Sequence, residues 1–156
     1  MDPDAPPLVT DRNLMRLTGV DSKINEITAE IVDAAILVHT ELGPGLTEKA
    51  YVACLGPELV HRGHRVLTEV TIPLSWRGRR LHEKVRVDLL VDDEVPVEVK
   101  ATEGTPPLFA AQLRNYVRFL DKDVGLLLNF NVAHMREGIV RVTNIRRPQG
   151  LFLRRT

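Results

Sequence analysis

The segments Arg86-Val87-Asp88 and Glu98-Val99-Lys100 place two carboxylates and an ammonium in a short stretch of chain. Two carboxylates brought together are suited to a hard divalent cation, Mg²⁺ or Mn²⁺, which takes oxygen ligands and fills its remaining positions with water and substrate. Such an ion activates water and stabilises charge on a leaving oxygen, which is the chemistry of phosphodiester hydrolysis. Lys100 beside it would orient the attacking water or balance charge on the phosphate, and the carbonyl of Val99 is a further candidate ligand. The competing reading is an ordinary Glu–Lys pair on a surface hairpin, worth at most about 1 kcal/mol. Spacing alone leaves both open.

Strand parity decides whether these groups can meet. Val95, Val97 and Val99 alternate with Pro96, Glu98 and Lys100, the period of a half-buried strand. Val85 to Val91 reads as a second strand, and Asp92-Asp93-Glu94 is the only polar break, so the two form a tight hairpin. Asp88 and Glu98 are equidistant from residue 93. Residues opposed across a ladder share a face, so Asp88, Glu98 and Lys100 are expected to emerge together. Charges on one sheet face are costly unless something uses them.

Other polar residues join as candidates. Glu48 follows Gly43-Pro44-Gly45 in the first turn of an expected helix, with Tyr51 one turn on. The helix dipole favours a carboxylate there by roughly 0.3–1 kcal/mol, reason enough without function. Gln112 and Tyr116 are four apart, hence neighbours on one helix face, where Gln112 would position a phosphate or a metal-bound water. A half-buried tyrosine packed at a sheet edge is the alternative. His39, His61, His64, His82 and His134 show no metal-ligand spacing and read as surface or helix-end residues. Cys54 reads as a small apolar helix residue.

The elements that must carry these residues follow from hydrophobic period. Ile24, Ile27, Ile31, Ala34, Ala35 and Val38 recur at helical spacing, capped by Asp21 or Ser22 and ended at Gly43. A second helix runs from about Thr47 toward Arg62, with Gly56-Pro57 expected to kink or break it. Strands at 66–74, 81–91 and 95–100 form a meander, with a turn at Arg77-Gly78. Thr105-Pro106-Pro107 opens a helix with a cap and prolines in its first turn. The apolar run Val124 to Asn129 suits a strand buried on both faces, and Ile139 to Val142 adds an edge strand. A helix between the third and fourth strands makes a crossover. The expected fold is α/β with a mixed sheet flanked by helices.

A chain of 156 residues, 44% hydrophobic and 27% charged, suits one soluble domain. No stretch reaches the apolar length of a membrane span. With one cysteine and no secretory pattern at the N-terminus, a cytoplasmic location is expected. Residues 1–20 read as an extension, 21–144 as the domain, and 145–156 as a basic tail. The net charge of zero hides an asymmetry: residues 1–60 carry 4 Lys/Arg and 10 Asp/Glu, whereas residues 61–156 carry 17 and 11. A basic half suits nucleic acid as a partner, or is simply a solvated surface.

Asp88…Glu98-Val99-Lys100, in the order helix, meander, helix, strand, resembles the PD-(D/E)XK nuclease superfamily. Gly45-x-x-Glu48-x-x-Tyr51, within Glu41 to Tyr51, resembles the GxxExxY protein family, as does Gly125-Leu126-Leu127-Leu128-Asn129-Phe130. The likeness runs from about Ile24 to Asn144. It implies a restriction-endonuclease-like core, with Asp88 and Glu98 binding Mg²⁺ or Mn²⁺, Glu48 joining the metal site and Lys100 assisting catalysis. Gln112 and Tyr116, with Tyr51, would support the substrate, DNA or RNA. Small nucleases of this kind often work as homodimers. The rival function is a catalytically silent nuclease-fold module for nucleic-acid binding, through the basic tail, or for protein assembly. Three features depart from the pattern: the extension before Asp21 is longer than usual, Gly56-Pro57 falls where good helix sequence is usual, and Pro96 lies in the active-site strand, where it requires an edge or a bulge.

Overall fold

The computed structural model describes residues 20–144; the extension up to residue 19 and the tail from 145 lie outside them. Two helices come first, α1 (Ser22–Leu42) and α2 (Glu48–His61), followed by strands β1 (Val66–Trp76), β2 (Arg79–Val91) and β3 (Val95–Lys100). Helix α3 (Pro107–Phe119), β4 (Val124–Asn129), a 3₁₀ turn (Met135–Gly138) and β5 (Ile139–Thr143) complete the described residues. The strands form one sheet in the order β1-β2-β3-β4-β5. Only the β3–β4 pair is parallel, and α3 is the crossover between them. The mixed α/β sheet with flanking helices is therefore as expected.

Two apolar layers clamp this sheet. On one face, Ile27, Ile31 and Ala35 of α1 and Leu55 and Leu59 of α2 pack on Val97, Val99, Leu126 and Leu128. On the other, Leu113, Tyr116 and Val117 of α3 pack on Val87, Leu127 and Ile72. Gly125 lets α3 lie this close, since a Cβ there would meet Val117 at 2.6 Å.

Local chemistry fixes the ends. Asp21 caps α1 by accepting from the Lys23 N–H at 2.9 Å, and Thr47 caps α2. Helix α3 has Pro106 at its N-cap and no side-chain cap. Thr105, the expected cap, instead takes a hydrogen bond from Asn129 Nδ2.

Four expectations need correction. Helix α2 runs through Pro57 without ending, because Gly56 has no Cβ to clash with the proline ring and so keeps helical backbone. Strand β3 is buried on both faces rather than half-buried, since it lies at the centre of the sheet under helices on both sides. Pro96 therefore sits in an interior strand, not at an edge or bulge. The Val99 N–H points toward β2, so alternation turns position 96 toward β4, whose pairing starts only at Val97. Finally, the cap expected at Thr105 is taken by Pro106.

Candidate active site

The site begins where the β2–β3 ladder stops. Its pairs Val91↔Val95, Leu90↔Pro96 and Leu89↔Val97 have the register expected from the Asp92-Asp93-Glu94 break, and the next step would oppose Asp88 to Glu98. There the ladder opens. Asp88 Oδ2 accepts the Val99 N–H at 2.8 Å, taking the place of a backbone carbonyl. On the other side of β2, Glu69 stands between the pairs Thr68↔Leu89 and Val70↔Val87, and its φ of 49° breaks the β conformation. Alternation is lost at this point, since Val87 joins the core under α3 and Leu89 the core under α1 and α2. A side chain that accepts a strand N–H lies close to the plane of the sheet. Asp88 is thus placed between the two faces rather than on one of them.

Glu98 pairs with Leu127, which belongs to the core under α3, so Glu98 points to the α3 side. It is only 7% exposed, and the Asp88 carboxyl hydrogen-bonds to it. Burial, then the hydrogen bond and charge of Asp88, push the Glu98 carboxyl up to about 9, with Glu48 adding and the Lys100 charge opposing. Two carboxylates this close resist ionising together, and the raised value keeps the Glu98 carboxyl protonated at neutral pH. Lys100, next along the same face, is half-buried, with Nζ 4.5 Å from the centre of the Phe109 ring.

Helix α3 brings the glutamine–tyrosine pair to these acids. Tyr116 is 6% exposed. Burial first, then the charges of Glu98 and Asp88, raise its phenol, while a hydrogen bond with Gln112 opposes. Glu48 is exposed on the first turn of α2, and its charge reaches Glu98. Five of the seven expected residues, Asp88, Glu98, Lys100, Gln112 and Tyr116, are thereby gathered, with Glu48 at the rim.

Tyr51 has a different place. It is fully buried, stacked on Phe130 at 4.3 Å, and its hydroxyl donates to the Gly43 carbonyl at 2.6 Å while accepting the Leu46 N–H at 3.2 Å. It fastens the Gly43–Leu46 loop, and so fixes where α2 starts and where Glu48 stands.

Asn129 also supports the site and was not foreseen as part of it. Fully buried opposite Lys100, its amide donates to Thr102 O, Gly104 O and Thr105 Oγ1 and accepts from the Thr102 and Asn131 N–H groups. That pins the turn leaving Lys100. A polar residue closing an otherwise apolar strand was its signal in the sequence.

A groove of 780 Å³ opens beside the acids between α2 and β1, lined by Glu48, Lys49, Gly56, Pro57, Glu69 and Asp88 among others. Among the described residues, no three His, Cys, Asp or Glu side chains converge closely enough to hold an ion. The donor set is therefore two touching carboxyls. That fits a hard cation of the Mg²⁺ type, which needs only one or two protein carboxylates.

Comparison with known proteins agrees with this fold. The family model of the PD-(D/E)XK nuclease superfamily matches residues 25–142, a span holding every residue of the site. No curated protein and no solved structure matches the chain significantly.

Proposed function

Because the chain belongs to the PD-(D/E)XK nuclease superfamily, we propose that it hydrolyses phosphodiester bonds in nucleic acid at the Asp88–Glu98–Lys100 site. The observation that carries this reading is the contact between the Asp88 and Glu98 carboxyls at the ladder break. A structural role would set a basic group between two acids, whereas here the nearby Lys100 charge is outweighed by burial and by Asp88. A bound Mg²⁺ or Mn²⁺ would supply Lewis acidity and a water of lowered pKa there.

The chain's own residues would then do the rest. Asp88, held by the Val99 N–H, and Glu98, held by burial, supply the ligand oxygens at fixed positions. Lys100, its ammonium placed over Phe109, orients the attacking water and offsets charge on the phosphate. Tyr116 stays a neutral phenol that can donate to a phosphate oxygen, with Gln112 setting its direction. Glu48 at the rim would support the site from the groove side. Gly45, Glu48 and Tyr51 support a finer assignment to the GxxExxY group, and Tyr51 gives that motif a physical basis as the anchor of its loop.

The test is nicking or degradation of DNA and RNA in Mg²⁺ or Mn²⁺. Wild type cleaves, while Glu98→Ala and Lys100→Ala lose about 10²-fold or more. Unchanged activity in both variants overturns these roles. One observation favours a second reading, a nuclease-fold module without turnover: among the described residues no third ligand converges on the pair. A thermal shift unmoved by millimolar Mg²⁺ and Mn²⁺ supports that module.

A further inference from the structure

Strands β1 and β2 have 11 and 13 residues, yet from Arg79 to Lys84 β2 is exposed at every position. The outer half of this hairpin has no helix over it. At Pro73↔Lys84 and Ser75↔Arg80 the register slips, so that Leu74 stands against three residues of β2; such a bulge bends and twists a ribbon. Its tip is a two-residue turn with Arg77 and Gly78 at φ 48° and 73°, the left-handed geometry that tight hairpins use.

The composition of this arm is one-sided. Arg77, Arg79, Arg80, Lys84 and Arg86 are cationic and exposed, with Glu83 the single acid between residues 74 and 86. At the tip stands Trp76, the only tryptophan of the chain, 63% exposed, with the Arg77 guanidinium 4.6 Å from its ring centre. Core packing uses none of these side chains. Arg86 and Lys84 lie two and four residues before Asp88 on the same strand, so the row of charge starts at the acid site. At about 3.4 Å per residue it reaches roughly 27 Å outward to Arg80.

We propose that this arm is a binding site for single-stranded nucleic acid, in which the row of Arg and Lys follows the phosphates and an unpaired base stacks on Trp76. Charge selects a polyanion. The indole selects among polyanions, because a flat exposed ring gains from a base with a free face, and a duplex hides those faces. The inference rests on nucleic acid being the substrate of the acid site, but it does not need turnover.

Trp76 supplies its own probe, since all tryptophan emission of the full chain comes from it. The experiment titrates a mixed-sequence single strand into the metal-free protein in chelator, following emission, with anisotropy of a labelled strand as an independent measure of binding. Binding with quenched emission is the expected result, together with a fall in log–log salt slope of about 2 in the exposed-site variant Arg79→Gln/Arg80→Gln/Lys84→Gln. Trp76→Leu should weaken binding at least several-fold without changing that slope. Binding by anisotropy with unchanged emission, equal quenching by base-free heparin, or a tighter fit to the matching duplex each overturns the proposal. Cleavage assays separate it from the reading of the acid site. Cleavage by a wild type whose Trp76 does not respond removes the arm alone, and quenching without cleavage removes hydrolysis alone.

Discussion

The β2–β3 hairpin carries a pair of carboxyls at each end, and the two ends are built oppositely. At the turn end, Asp92 Oδ2 meets His64 Nδ1 at 2.6 Å, and Glu30 of α1 meets His64 Nε2. The other Asp92 oxygen takes the Arg65 N–H at 2.9 Å. With an acceptor on each nitrogen, the ring must donate from both, so it is an imidazolium between two carboxylates. At the open end, Asp88 and Glu98 face each other, and among the described residues neither forms an ion pair. The first cluster satisfies its own charges and ties α1, the α2–β1 link and the hairpin turn together. The second stores an unmet demand for positive charge. What separates a structural acid pair from a chemical one is the neighbour placed between them, not the residue types.

The largest effect that sharpens this contrast is catalytic. Lys100→Ala should cost about 10²–10³-fold in cleavage rate, while His64→Ala, in the self-satisfied cluster, leaves the rate of the folded enzyme unchanged. Kinetics of both variants on one labelled strand check this, and a rate loss in His64→Ala breaks the contrast.

Stability should move in opposite directions at the two ends. The Glu98 carboxyl lies near 4.5 unfolded and about 9 folded. Its favourable contribution is complete below pH 4.5 and is lost as pH rises through 9. Glu98→Gln mimics the protonated form, removes that pH dependence and should stabilise the metal-free protein at pH 7 by on the order of 2 kcal/mol. Denaturant melts measure it; a destabilised Glu98→Gln contradicts the account of an unrelieved pair.

At the turn end the titrating group is His64. Burial by itself lowers the His64 pKa, but the hydrogen bonds and charges of Asp92 and Glu30 outweigh it and raise it above 6.5. The contribution of this clasp is complete below pH 6.5 and fades as pH rises through the raised value. His64→Gln should thus destabilise by about 1–2 kcal/mol at pH 6 and by less at pH 9. Equal losses at the two pH values would remove the charge from the explanation. The smallest effect is expected of Gln112→Ala, a few-fold loss of rate at unchanged stability, because it acts only through Tyr116.

Much of this was legible in local pattern. Period-two alternation and a single polar break give the hairpin and its register, so Asp88 and Glu98 are found without a structure. The crossover helix, the buried β4 and the edge strand β5 follow the same way. Side-chain detail that depends on distant segments was not legible. His64 reads as a surface residue until α1 and the hairpin turn, 34 and 28 positions away, close on it. His39, read as a surface or helix-end residue, does stand in the last turn of α1 but is buried, with Nε2 2.8 Å from the Val132 carbonyl. Glu69 gives no sign that it will break the ladder beside Asp88, since any residue can occupy a strand position. Tyr51 was expected to support substrate from its place in the Gly45-x-x-Glu48-x-x-Tyr51 motif, whereas burial against Phe130 gives its hydroxyl to a loop. Arg141 holds Asn25 and Thr28 of α1 from β5, a contact across more than a hundred residues.

The measurement that bears most directly on the open end of the hairpin is a calorimetric titration of Mn²⁺ into metal-stripped wild type and Glu98→Gln. Saturable binding by wild type in the millimolar range or tighter, lost in a Glu98→Gln protein that is folded and at least as stable, is the predicted result. Equal binding by the two, or none by wild type, would contradict the assignment of the Asp88–Glu98 pair as a cation site.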